Sequence, residues 1–509
     1  MSQTFEELNR KAIEAMEGGD LENAVSLAKE ALAVAKESGD TSNILLAMSN
    51  LSEVQQSAGD FVSAEGTLTD AIELSREVNG ESNETADLIG SLAVMYSYCG
   101  EYENAEQVFR EELEMRDKVG TDYKGVVQAL QGIAECMMEL QNSPEARNYL
   151  EQAISVIENK EGKESTNIAP LLVNLAVVYT REYDYDKAGE NLRGALRIYE
   201  KEPGPAHPVF ADTLARLAET YEMRGAFTPA ETLYSQAIDI LSNVLDKNDP
   251  EIGRKMENLA QLYIKAGQYD KAEEQLNKVI AIYTAAYGRE NADVAQALND
   301  VGEIYLAIED FDKSSSALNE ALDIREKVLD KDHPAVAQTL NNIAVLHENK
   351  GEFQKSIPLH ERALEIRKSV FGEKHPAVTQ SLENLAAAYN GTGRFQEAED
   401  LLRESVSIWT DFVGEDNPAT AQAQINLATV LFQRSKLREA QRVMTQAKDV
   451  MEKHYGEGHP EMALPYKALA AIAKKLSNKA DEEKYAALFA QAEKNRQEAA
   501  NGSASKTSS

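Results

Sequence analysis

At 509 residues the chain is longer than one hydrophobic core usually supports, so it is either several domains or a repeat array whose core grows sideways. A hydrophobic fraction of 43% with a single tryptophan, Trp409, fits a helical protein built on Ala and Leu and excludes a disordered chain. With 52 Lys plus Arg against 86 Asp plus Glu, the formal net charge of −34 repels phosphates and anionic lipid heads, which excludes nucleic acid and membrane surfaces as expected partners.

The first ten residues carry no basic stretch followed by an apolar run, so no secretory signal is read there. No window approaches the ~18 apolar residues of a membrane span, and the expected compartment is cytoplasmic. Only Cys99 and Cys136 occur, which argues against a disulfide framework and for two reduced, packed thiols.

A period begins at Ala24. The column Ala24, Ala64, Ala105, Ala146, Ala188, Ala230, Ala272, Ser314, Ser356, Ala398, Ala440 advances by 40, 41 and 41 residues and then by 42. A second column moves with it, from Leu51, Leu92, Ile133 and Leu175 through Ile343, Leu385, Leu427 and Leu469. Residues 1–162 hold the more divergent units, where the steps are shorter and Ser143-Pro144 replaces an aromatic. Terminal repeats commonly diverge in this way.

Residues 163–476 form the regular 42-residue array. In Thr339 to Leu364 apolar residues recur at helical spacing on both sides of Lys350-Gly351-Glu352, which predicts one helix hairpin per unit. Glycine marks the corner in six units, Gly351 among them, where a left-handed backbone is needed. Two residues later comes an aromatic such as Phe61, Tyr185, Phe311 or Phe395, placed to wedge between the helices. The residue after the Leu column is small (Ala93, Ala260, Gly302, Ala344, Ala428), so helix backbones can approach closely there. Turns between units end in His207-Pro208, His333-Pro334, His375-Pro376, Asn417-Pro418 and His459-Pro460, as helix starts do. Residues 477–498 predict a capping helix rich in Lys and Glu, and 499–509 a disordered tail.

These columns resemble the tetratricopeptide motif over roughly residues 5 to 490, and the period with its His-Pro turns and Leu-Asn-Asn or Leu-Glu-Asn runs is similar to kinesin light chain repeats. The resemblance implies an all-α, right-handed superhelical solenoid of about eleven hairpins. A kinesin light chain proper carries a coiled coil before its repeats, whereas this array begins by Glu6.

Chemistry is hard to place on such a chain. Phosphate-loop, nucleophile-elbow, zinc-protease and dinucleotide motifs are missing, and Gly162-Lys163-Glu164-Ser165 lacks the first glycine and the strand of a phosphate loop. Four of the seven histidines (His207, His333, His375, His459) share one turn position; units ~10 Å apart cannot bring them to one metal, so they read as caps. His347 replaces core tyrosines and reads as a core histidine. Neither cofactor, metal nor enzymatic activity is expected.

The recurrent amides are more informative. Asn258, Asn342, Asn384 and Asn426 precede the Leu column, and Gln296, Gln338, Gln380 and Gln422 form a ladder four residues ahead of the asparagine positions. In tetratricopeptide grooves asparagines at this position bond the backbone of an extended peptide; the alternative is that they satisfy the adjacent helix. The groove positions Glu303, Val345, Glu348, Ala387, Asn390, Thr429 and Phe432 lack the cations that a carboxylate clamp needs. The resemblance therefore implies a non-catalytic scaffold that binds peptide segments of partner proteins in its concave groove, and the net charge favours basic segments. A structural subunit binding through its convex face or termini, and a kinesin light chain-like cargo adaptor, remain open alternatives.

Overall fold

The structure is a computed structural model and describes residues 4–120 and 122–506, with side chains through 497. Backbone contacts divide the chain into Met1–Asp246 and Lys247–Ser509. The first unit contains α1 (Phe5–Glu17), α2 (Leu21–Ser38), α3 (Thr41–Ser57), α4 (Phe61–Asn79), α5 (Asn83–Tyr98), α6 (Tyr102–Val119), α7 (Tyr123–Glu139), α8 (Ser143–Glu161), α9 (Ile168–Arg181), α10 (Tyr185–Lys201), α11 (Pro208–Met223) and α12 (Phe227–Val244). The second contains α13 (Pro250–Lys265), α14 (Tyr269–Tyr287), α15 (Ala292–Ala307), α16 (Phe311–Val328), α17 (Pro334–Asn349), α18 (Phe353–Phe371), α19 (Pro376–Gly391), α20 (Phe395–Val413), α21 (Pro418–Gln433), α22 (Leu437–Tyr455), α23 (Ala463–Lys475) and α24 (Lys479–Lys506). No strand occurs among the described residues.

Helices pack as consecutive hairpins, so the solenoid read from the sequence is what forms. Among the described residues the helices make twelve hairpins, in line with the expected eleven or so. The Leu column has no counterpart in α1 and the Ala column none in α24, so each column misses one end hairpin. The boundary at 162, drawn on repeat regularity, stays a proposal about sequence divergence. Helix α24 runs into residues 499–506, where composition marks a tail. Residues 507–509 lie outside the described residues.

The corners follow from backbone chemistry. Gly59, Gly100, Gly225, Gly267, Gly351 and Gly393 all have φ between 69° and 77°. The aromatic two residues later is the first residue of the second helix, as at Phe311 and Phe353. His207, His333 and His375 cap α11, α17 and α19 through Nδ1, which accepts from the backbone N–H two residues on at 3.1–3.2 Å. The proline between them supplies a first helical residue whose missing N–H breaks no bond.

The small columns are fully buried, Ala93, Ala260 and Ala344 among them. A Cβ on Gly302 would meet Leu318 at 2.5 Å, and the Ser314 hydroxyl donates to the Gly302 carbonyl at 2.9 Å, so this contact admits no larger group. Within the second unit successive first helices also touch: α15 with α17, α17 with α19, α19 with α21. Successive second helices make no comparable contact. The first helices therefore line the inside of this unit's curve.

Two residue expectations change. Cys99 is exposed at the end of α5, and only Cys136 is a packed thiol. His347 keeps part of its ring in solvent and pairs Nδ1 with Glu352 at 2.8 Å, because it sits at the hairpin corner where Glu352 is within reach.

Candidate functional site

A spacing of four puts Gln296 and residue 300, Gln338 and Asn342, Gln380 and Asn384, and Gln422 and Asn426 one turn apart on the inner side of their helices. The members of the two columns differ in what they bond. Asn342 donates through Nδ2 to Glu303 Oε1 at 2.6 Å and to Asn299 Oδ1 at 3.1 Å, both on the preceding first helix. Asn426 donates to Glu383 Oε2 at 3.0 Å in the same way. Gln422 donates to Asn426 Oδ1 at 3.4 Å, and exposed Gln380 accepts from Arg367 at 3.0 Å. Gln338, Asn384 and Asn258 are half-buried and have no side-chain hydrogen bond among the described residues. The first two lie mid-ladder, between amides that are bonded.

Asp300 stands in the asparagine column and is the hub of a buried polar cluster. Its carboxylate, 3% exposed, accepts from Gln296 Nε2 at 2.8 Å and from Gln261 Nε2 at 2.6 Å. Burial, with Glu303 and Glu257 nearby, pushes its pKa up to about 7. Gln296 also accepts from Arg325 at 2.6 Å, so one amide bridges a buried carboxylate and a buried guanidinium. Arg325, 1% exposed, completes its shell with the Ala335 carbonyl and the Thr339 hydroxyl.

Sequence reasoning missed this arginine. It comes from α16, eleven residues after Ser314 in the Ala column, where other units carry Ile157, Tyr199, Leu241, Tyr283, Trp409 or Met451. Arg116 and Arg367 share the position, and all three reach through to the glutamine ladder or its equivalent: Arg116 to Asp87, Arg325 to Gln296, Arg367 to Gln380. The legible signal was a cation in a mostly apolar column. A second missed column, Glu257, Asn299, Asn341 and Glu383, precedes the asparagines and was visible in the Leu-Asn-Asn and Leu-Glu-Asn runs.

His360, fully buried on α18, joins Asn341 Oδ1 at 2.8 Å to Glu348 Oε1 at 3.2 Å. Glu348 is thus turned inward rather than into the groove, and Phe432 packs on the core. Both correct the expected groove surface. Among the described residues no three His, Cys, Asp or Glu come together as a metal site, and no helix is long and apolar enough to cross a membrane.

The sequence pattern of the tetratricopeptide repeat family matches residues 84–159, 167–243, 251–327, 293–369, 335–411 and 378–453, together more than half of the chain. The chain belongs to the tetratricopeptide repeat family. A search of curated proteins finds no match. Solved structures similar to this tetratricopeptide repeat protein include the nearly identical TPR-like repeats of a Podosopora anserina kinesin light chain, 25% identical over 41% of this chain and 98% of that one, with a TM-score of 0.36. BtubC (BKLC) from P. vanneervenii is 27% identical over 46% and 91%, with a TM-score of 0.39. The apo form of RapI is 14% identical over 72% and 98%, with a TM-score of 0.49. In period and sequence the repeats resemble those of kinesin light chains. As a tetratricopeptide repeat protein the chain is a protein-interaction scaffold.

Proposed function

We propose that the chain is a non-catalytic adaptor that holds extended segments of partner proteins against the concave, first-helix side of its second unit. The observation that carries this reading is the pair of unbonded amides, Gln338 and Asn384, in the middle of a ladder whose neighbours are bonded. Both amides keep their polar ends open to solvent instead of directing them at a neighbouring helix, and an extended chain supplies backbone N–H and C=O groups to both ends of such an amide. Asn342, Asn426 and Gln296 act differently: bonded to adjacent helices, they hold the ladder in place. Successive units ~10 Å apart present one amide to about every third residue of a chain rising ~3.3 Å per residue.

Site-specific photo-crosslinking tests this. A crosslinker at exposed Ala387, beside Asn384, should capture one recurrent set of partner segments, and a crosslinker at exposed Glu365 on α18 should not. Equal capture at both positions contradicts the reading.

A second reading, binding through an outer edge, is favoured by one feature. The C-terminal ends of the second helices expose Tyr287, Val328, Val370, Phe371, Phe412 and Tyr455, an apolar ridge repeating with the hairpins. Phe371→Ser with Phe412→Ser separates the two surfaces.

A further inference from the structure

In the first unit the inner sides of α3, α5 and α7, with side chains of α6 beneath them, border an open cavity of about 970 Å³. Its floor is built by two glycines inside helices, each costing about 1 kcal/mol relative to alanine. A Cβ on Gly90 would meet the Glu112 carboxyl at 2.8 Å, and one on Gly132 would meet the Phe109 ring at 2.5 Å. Through these gaps α6 sends Phe109 and Glu112 up to the first-helix side, and Arg116 follows beside a third helical glycine, Gly125. Arg116 is then consumed internally, bonded to Asp87, Glu112 and Asp122 at 2.7 Å each.

The free charge of the cavity is therefore negative. Glu53 and Glu135 line it and have no hydrogen bond or ion pair among the described residues, and lost hydration raises the pKa of Glu135. With Val94 they occupy one register position in three successive first helices. Val94 is exposed, as is Tyr98 one turn farther along α5, which is 77% exposed. Two unpaired carboxylates thus flank an apolar and aromatic centre, about 20 Å apart by the helix spacing. That distance is about six residues of extended chain.

We propose that this cavity docks a basic extended segment of a partner protein, with an apolar residue over Val94 and Tyr98 and a lysine or arginine about three residues to either side, facing Glu53 and Glu135. The site is separate from the amide ladder of the second unit and does not depend on it. Charge complementarity selects the occupant: an acidic segment meets two unpaired carboxylates, and an uncharged one leaves both without partners.

The probe is a fluorescein-labelled synthetic peptide with lysines about six positions apart around a central leucine, titrated into the full chain by anisotropy. Glu53→Gln with Glu135→Gln should weaken binding by about tenfold, and Tyr98→Ala by about threefold. Glu30→Gln with Glu73→Gln removes the same charge from exposed positions on α2 and α4 and should change affinity by less than about twofold. Equal losses in the two double variants mean attraction to net charge alone and overturn the proposal. So does equal binding of a peptide with glutamates in place of the lysines, or no saturable binding at all.

Discussion

Asp300 shows what a single residue contributes here. An aspartate held at a pKa of about 7 by burial is raised above its unfolded value of about 3.9, so the folded state holds its proton more tightly. The stability this confers is fully present below about pH 4 and is lost as pH rises through about 7. Glu303, Glu257 and Arg325 are the charged groups around it. The hairpin of α15 and α16 is expected to lose about 1–3 kcal/mol between pH 5 and pH 8, read by amide exchange. In Asp300→Asn that pH dependence should shrink, and an unchanged slope would mean that Asp300 is ionised throughout. None of this was legible in the sequence, where Asp300 was one departure from an asparagine column. Its partners come from α13, α15 and, through Gln296, from α16, and a period does not state which side chains meet across helices.

Hairpin elements were far more legible. Their corners and caps are local: a left-handed glycine, an aromatic at the first position of the next helix, and a capped proline start each act within a few residues. Where the corner is not glycine the same backbone persists, with φ of 62° at Tyr183 and Glu309 and 59° at Gln141, Ser435 and Ser477. A left-handed non-glycine residue costs roughly 1–2 kcal/mol, offset in glycine by its greater unfolded-state entropy. Glu309→Gly is therefore expected to stabilise by about 0.5–1 kcal/mol in urea unfolding. Destabilisation would show that Glu309 makes a contact that outweighs the strain. The small columns are the second element-level test. Ala344 is fully buried at a helix contact, so Ala344→Leu should cost about 1–3 kcal/mol, while exposed Lys331→Gln should stay within about 0.5 kcal/mol. Equal midpoints would contradict the packing.

At the scale of the molecule, the sequence carried the repeat and the inner-face ladders but not which amides are spare. Asn342, Asn384 and Asn426 look equivalent in one dimension. They diverge because the preceding helix offers Glu303 to Asn342 and Glu383 to Asn426, and offers Val345 at the register position before Asn384 that Glu303 holds before Asn342. Stability and binding should divide along this line: Asn342→Ala with Asn426→Ala lowers the melting temperature, and Gln338→Ala with Asn384→Ala leaves it in place. The most direct test of the adaptor reading is quantitative affinity capture from the native cell at matched folded concentration, comparing wild type, Gln338→Ala with Asn384→Ala, and Phe371→Ser with Phe412→Ser. Two lost hydrogen bonds should lower recovery of the partners crosslinked at Ala387 by roughly tenfold to a hundredfold in the ladder variant, with the ridge variant near wild type. Full recovery by the ladder variant together with loss in the ridge variant would contradict the account and move binding to the outer edge.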